Sequence, residues 1–236
     1  ALGRQPVLKT PRVLGNWVLW LEQRPQEKGR TTALIRPWHQ TDQPAKELTA
    51  APINLRCRIH EYGGGAIAVA LLDDELLLIW SDDNDRCLWQ QTWSGLRRQD
   101  CAALKAKTPP IRISAPGEWA LGGGLIDHER QRWVGVMECN GRDHLVSLAL
   151  NQSDQQPEVL HTADDFAGYP ALSSDGKQLA WVEWRQPAMP WDASELRASS
   201  LSPEGKLTQV QTLAGSRPDA KQTISVVQPL WQPDGS

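Results

Sequence analysis

The sequence predicts an all-β fold, a partial β-propeller of about four four-stranded antiparallel blades plus the start of a fifth, and three observations carry that expectation. A turn recurs: Pro170-Ala171-Leu172-Ser173-Ser174-Asp175-Gly176-Lys177 is answered by Pro229-Leu230-Trp231-Gln232-Pro233-Asp234-Gly235-Ser236, with Asp-Gly at the same offset from the proline. Looser copies of a polar turn followed by an apolar strand return about every 50 residues, in the range of propeller blades, whose units must stack because none can bury its own apolar face. The apolar segments between turns are of strand length, and no long helical period runs through them.

The elements follow in chain order. Gly15-Asn16, Asp73-Asp74-Glu75, Asp127-His128-Glu129-Arg130 and Asp175-Gly176-Lys177 each lead into a strand, respectively Trp17 to Glu22, Leu76 to Trp80, Arg132 to Glu138 and Gln178 to Trp184. A polar hairpin then leads into another strand in each unit: Thr31 to Trp38, Arg86 to Trp93, His144 to Leu150 and Glu195 to Leu201. A shorter segment follows: Glu47 to Thr49, Ile111 to Ser114, Glu158 to His161 and Val210 to Leu213. With the segment ahead of each turn, such as Ala66 to Leu72, each unit has four strands. The expected blades cover about 13–50, 59–114, 119–163 and 169–214, with a fifth from about 224. A hairpin turn needs its return strand, so the closing Asp234-Gly235 reads as part of a longer polypeptide.

Twelve tryptophans are many for 236 residues, and most lie on these strands. Trp17 and Trp20 are three apart and so face opposite sides of a strand, as do Trp181 and Trp184, which suits sheets packed on both faces. Trp191 differs. It follows Pro187-Ala188-Met189-Pro190 in a hairpin too long for a tight turn, and is expected at an interface or cleft rim.

Composition narrows the function classes. With 40% hydrophobic residues and a net charge of −3, nothing draws the chain to nucleic acid or to anionic lipid. The longest apolar run, Ala66 to Leu72, is too short to span a bilayer, and a cytoplasmic location is expected. Cys57, Cys87, Cys101 and Cys139 form no Cys-x-x-Cys pair and read as free thiols. No metal or cofactor is expected. The histidines His39, His60, His128, His144 and His161 never pair at ligand spacing. Asp82-Asp83-Asn84-Asp85 fails the register of a calcium loop, because Arg86, Cys87 and Trp93 fall where an oxygen ligand, glycine and glutamate are needed. A solvated hairpin tip is expected there. Gly63-Gly64-Gly65 and Gly122-Gly123-Gly124 lead into strand-like sequence rather than a helix N-terminus, so close backbone approach near a propeller axis is favoured over phosphate binding. No Gly-x-Ser-x-Gly nucleophile elbow occurs, and no catalytic residue is assigned.

Three segments carry a family resemblance. Arg56-Cys57-Arg58-Ile59-His60-Glu61-Tyr62-Gly63-Gly64-Gly65, Trp181-Val182-Glu183-Trp184 leading to Met189-Pro190-Trp191-Asp192, and the closing Pro229-Leu230-Trp231-Gln232-Pro233-Asp234-Gly235 resemble the amino-terminal propeller of bacterial prolyl oligopeptidase-family serine peptidases, in the acylaminoacyl-peptidase-like branch. The resemblance spans about residues 13–236. One departure is Gln186-Pro187-Ala188, where relatives tend to have His-Pro-Asn, so no role of that histidine or asparagine carries over. The resemblance implies a carboxy-terminal α/β-hydrolase domain as partner, supplying a Ser-Asp-His triad, and a propeller that covers it and admits short peptides. This chain would be the cover without the catalyst. Glu61, Tyr62 and Trp191 are then the substrate-contact candidates, with the Glu61 carboxylate suited to a substrate ammonium group. Against this, Glu61 could instead pair with Arg56, Arg58 or another blade. The alternative function is a non-enzymatic propeller scaffold, WD-repeat or TolB-like, binding a protein partner. Four blades of a larger ring would leave apolar faces uncovered, and self-association is expected.

Overall fold

The computed structural model of the chain describes residues 5–61 and 64–232. Its strands form four antiparallel blades arranged as a β-propeller. The first blade contains β1 (Val7–Leu14), β2 (Trp17–Arg24), β3 (Arg30–Pro37) and β4 (Lys46–Glu47). The second contains β5 (Ile67–Leu72), β6 (Glu75–Ser81), β7 (Leu88–Ser94), β8 (Lys105–Ala106) and β9 (Ile111–Arg112). β10 (Ala120–Asp127), β11 (Arg132–Cys139), β12 (Arg142–Ala149) and β13 (Glu158–Thr162) make the third. β14 (Phe166–Leu172), β15 (Gln178–Trp184), β16 (Glu195–Ser200) and β17 (Gln211–Gly215) make the fourth. Apart from β9, each strand pairs with its sequence neighbour, as short hairpins dictate.

Three details depart from the sequence reading. The first blade opens at Val7, ahead of residue 13, on a strand that is exposed along most of its length and therefore lacks an apolar alternation. The outer position of the second blade is shared: β8 pairs with Trp93 and Ser94, whereas β9 pairs with Trp89 and Gln90. From about residue 224 no strand is found among the described residues. That segment is held by Ser194, whose side chain receives the Val226 N–H at 2.9 Å and donates to the Val226 carbonyl at 2.7 Å, and by the Trp231 indole, which donates to the Ala171 carbonyl at 2.9 Å. Its polar groups meet side chains, the Ser194 N–H and a neighbouring strand's carbonyl rather than a ladder. The repeated Asp234-Gly235 turn lies outside the described residues.

Strands β6, β11 and β15 are buried on both faces because each lies between neighbouring sheets. Trp80, Trp133 and Trp181 are their largest fully buried side chains. In the first blade Trp17 faces the core and donates to the Leu96 carbonyl at 3.1 Å, whereas Trp20, on the opposite face, lies under the Arg36 guanidinium at 5.8 Å. The inner strands β5, β10 and β14 lie side by side. In β1, β10 and β14 the ladder slips at one bulge, with Thr10, Gly123 and Tyr169 at φ of 52°, 60° and 55°. Close approach explains the glycines: Gly123 N–H donates to the Gly65 carbonyl at 2.8 Å, and a Cβ on Gly122 would lie 2.4 Å from Cys57 Sγ. Gly63 is outside the described residues.

Candidate functional site

The segment joining the first and second blades sets the site. Leu55, Cys57 and Ile59 are buried in alternation, and the Leu55 and Arg56 N–H groups donate to the carbonyls of Thr31 and Ser81. This extended stretch ends abruptly at His60 and Glu61, both left-handed at φ of 51° and 67°. Two successive non-glycine residues in that region cost about 1 kcal/mol or more each and persist where neighbours hold them. Here the neighbours come from the third and fourth blades. The His60 N–H donates to the Glu138 carboxylate, and His60 Nε2 lies 3.1 Å from both oxygens of the fully buried Asp143. Asp143 also accepts the Ala167 N–H at 2.8 Å, which ties β12 to the start of β14. The His60 ring stands edge-on to Phe166 at 4.9 Å, and Phe166 stacks on Trp184 at 5.6 Å. Burial pulls the His60 pKa down, but the Asp143 hydrogen bond and the charges of Asp143 and Glu138 outweigh it, so it lies above the usual histidine value.

Glu61 is exposed beside this cluster, and its N–H donates to the Arg58 carbonyl at 3.0 Å. The Arg58 guanidinium itself is directed to Asp83, with Nε 2.5 Å from Oδ1, and Glu61 contributes only through its charge. Tyr62 lies outside the described residues. Trp191 is 67% exposed on the hairpin between β15 and β16. Asp192 accepts the Met189 N–H at 3.1 Å and the Ala193 N–H donates to the Met189 carbonyl at 3.2 Å, so the tryptophan projects from a fixed turn. Because Phe166 pairs with Trp184, this hairpin emerges at the end of the propeller where β14 begins, the end that also carries His60 and Glu61.

The opposite end of the inner strands holds a cleft of about 850 Å³ lined by Arg12, Ile67, Leu125, His128, Ser173 and Trp231 among others. Neither Glu61 nor Trp191 borders it. The acidic turn Asp82–Asp85 is only in part the solvated tip expected, with Asn84 exposed and Asp83 and Asp85 half-buried. Asp82 is buried and accepts the N–H groups of Asn54 and Asn84, while Asp85 accepts the Trp89 indole N–H at 3.0 Å. Burial raises the Asp82 pKa, and the turn serves to pin the segment leading to His60. Cys57, Cys87 and Cys101 are buried free thiols and Cys139 is half-buried.

Sequence reading missed the partners of the site. Asp143 follows Gly141-Arg142 at a hairpin and has the appearance of a surface carboxylate, and Phe166, the one phenylalanine, carried no motif. The signal that could have found them is local: His60 and Glu61 interrupt an alternating strand just before a glycine run.

No family model matches the chain, and no curated protein matches it. Solved structures do. A puromycin-hydrolysing peptidase from Mycobacterium tuberculosis is 26% identical, with a TM-score of 0.75, over 91% of this chain and 32% of that one. A puromycin hydrolase variant complexed with PGG is 25% identical, with a TM-score of 0.80, over 99% of this chain and 35% of that one. TolB from Acinetobacter baumannii, 12% identical with a TM-score of 0.54 over 98% of this chain and 47% of that one, shares the fold alone. By fold the chain is a β-propeller, similar to those of these peptidases. More particularly, the chain matches the amino-terminal propeller of prolyl oligopeptidase-family peptidases, and it spans about a third of the length of the two peptidases it resembles.

Proposed function

We propose that the chain is the substrate-gating propeller portion of a serine peptidase, covering a carboxy-terminal α/β-hydrolase domain that supplies the catalytic residues. The observation that carries this reading is likeness to puromycin hydrolase at 25% identity over 99% of the chain, whereas TolB supports fold only. In this reading Glu61, Tyr62 and Trp191 contact short peptides, with the Glu61 carboxylate taking the ammonium group. The exposed Val7, Leu8 and Val13 on the first strand and Ile224, Val227 and Leu230 beyond β17 meet other parts of the protein or, in the isolated chain, another copy. A cytoplasmic location belongs to the same proposal. Among the described residues no helix is long and apolar enough to cross a membrane.

The test is to express the natural open reading frame that encodes this chain and assay aminoacyl and short-peptide chromogenic substrates together with fluorophosphonate labelling. Turnover is expected, with one labelled serine outside residues 1–236 and none within them. A labelled serine inside the chain, or a protein that neither labels nor cleaves, would overturn the reading.

A further inference from the structure

We propose that His60 is a positioning residue, clamped by Asp143 and Glu138 of the third blade so that its left-handed turn presents the Glu61 carboxylate to the amino terminus of a short peptide. The inference rests on the peptidase reading and on the role of Glu61 given above. What motivates it is where the clamp acts. The alternating burial of Leu55, Cys57 and Ile59 fixes the backbone up to residue 59, and Asp83 takes the Arg58 side chain. His60 and Glu61 then adopt a conformation that the third blade supports through hydrogen bonds, the His60 amide on Glu138 and the imidazole on Asp143, with Phe166 and Trp184 of the fourth blade packed on the ring. Glu61 belongs to the connection between the first two blades, yet its direction is set across the interface by a different blade.

Asp143 is positioned independently of its bond to His60. It is fully buried and accepts the Ala167 N–H, and its backbone exchanges hydrogen bonds with Ala163 and Asp165. Removing the imidazole therefore releases the turn without removing its anchor. The bond uses Nε2, the atom that a glutamine amide can replace and an asparagine amide, one methylene shorter, cannot reach. His60→Gln is thus the conservative variant and His60→Asn the discriminating one, because asparagine tolerates left-handed backbone better than most residues and still lacks the reach.

Two measurements decide it. In the whole peptidase, the ratio of kcat/KM for a dipeptide anilide with a free amino terminus to that of its N-acetylated counterpart is expected to fall about tenfold in Glu61→Gln, the equivalent of about 1.4 kcal/mol. The same ratio is expected to fall about fivefold in His60→Ala and His60→Asn, mainly through KM, and to recover in His60→Gln. Adding Glu61→Gln to His60→Ala should cost little more, because the two act as a unit. Equal losses on both substrates in His60→Ala, or a ratio moved by Glu61→Gln and not by His60→Ala, would overturn the proposal. A ratio unmoved by Glu61→Gln removes the role of Glu61 and the proposal with it. The second measurement is independent of catalysis. In residues 1–236, amide exchange of residues 59–61 should quicken at least tenfold in His60→Ala and return in His60→Gln, with β11 and β12 unchanged. Unchanged exchange at residues 59–61 sinks the positioning role even if the protein is a peptidase; quickened exchange with no peptide turnover sinks the peptidase reading instead.

Discussion

The third blade buries an aspartate at each end, and the two are neutralised differently. Asp127, at the end of β10, is met by two arginines, Arg132 Nε at 2.9 Å and Arg130 Nη1 at 3.2 Å. Arg130 continues to the carbonyls of Gly176 at 2.8 Å and Ser202 at 3.2 Å, fastening the fourth blade to the third. Asp143, at the start of β12, is met by one histidine and one backbone amide, and an exposed glutamate stands beside that histidine. Guanidinium groups stay charged at any physiological pH and their fork geometry locks direction, so the Asp127 end is a permanent joint. An imidazole changes charge within that range, so the Asp143 end is adjustable. The comparison teaches that burial of a charge does not by itself mark a functional site; what distinguishes the two ends is the chemistry of the partner and what lies exposed next to it.

The largest expected effect tests the permanent joint. Asp127→Ala leaves Arg132, which is almost wholly buried, with an uncompensated charge, and Arg132 Nη2 already lacks a partner among the described residues. Breaking a buried pair from one side costs about 3–5 kcal/mol. Asp143→Ala leaves an amide and an imidazole short of a partner, with a cost of about 1–3 kcal/mol. Urea unfolding of the two variants should therefore separate clearly, Asp127→Ala having the lower midpoint. Equal midpoints would mean that arginine and histidine partners contribute alike and that the comparison is empty.

A smaller effect tests how closely each end is packed. Gly205 has φ of 83°, and a Cβ there would lie 2.4 Å from the Arg132 guanidinium, which cannot swing away without leaving Asp127. Gly64, near the histidine end, would place its Cβ in ordinary contact, 4.0 Å from Cys57 Sγ. Gly205→Ala is expected to cost about 1–3 kcal/mol by overpacking and strain. Gly64→Ala should stay within about 0.5 kcal/mol. Thermal unfolding of both variants checks the ordering, and a destabilised Gly64→Ala beside a neutral Gly205→Ala would reverse the assignment of the tight end.

Much of the fold was legible in the sequence because its signals are local. Polar turns before strands such as Trp17–Arg24 and Gln178–Trp184 announce hairpins, and hairpins fix neighbour pairing. What stayed hidden depends on partners distant in the chain. β1 was cut short because exposed residues such as Leu8 and Val13 leave no alternation to read. β8 is two residues long, and a pair so short has no period. Glu61 and Trp191 stand out in the sequence through the motifs that carry the resemblance, whereas Asp143 and Phe166 reach His60 only across a blade interface. Burial of Asp82 was missed for the same reason: its partner Asn54 belongs to the preceding connection.

The smallest expected effect tests adjustability through pH. Asp143 and Glu138 face His60, with Phe166 and Trp184 packed on its ring and the exposed Glu61 next to it in sequence. The folded-state pKa of His60 is raised, so the folded state binds its proton more tightly than the unfolded chain does. By linkage the resulting stability is fully present below the unfolded histidine value of about 6.5 and is lost as pH rises through the higher folded value. His144 carries the opposite sign, since burial lowers its pKa, and the raw profile of the protein mixes the two. The difference between the parent chain and His60→Gln separates them, because glutamine keeps a donor toward Asp143 and does not titrate. That difference should favour the parent at about pH 5.5 and shrink as the pH rises toward 8.5. The same subtraction for Arg132→Gln should be flat over this window, since the guanidinium keeps its charge throughout. A flat His60 difference, or one that grows with pH, would remove the distinction between an adjustable and a permanent end.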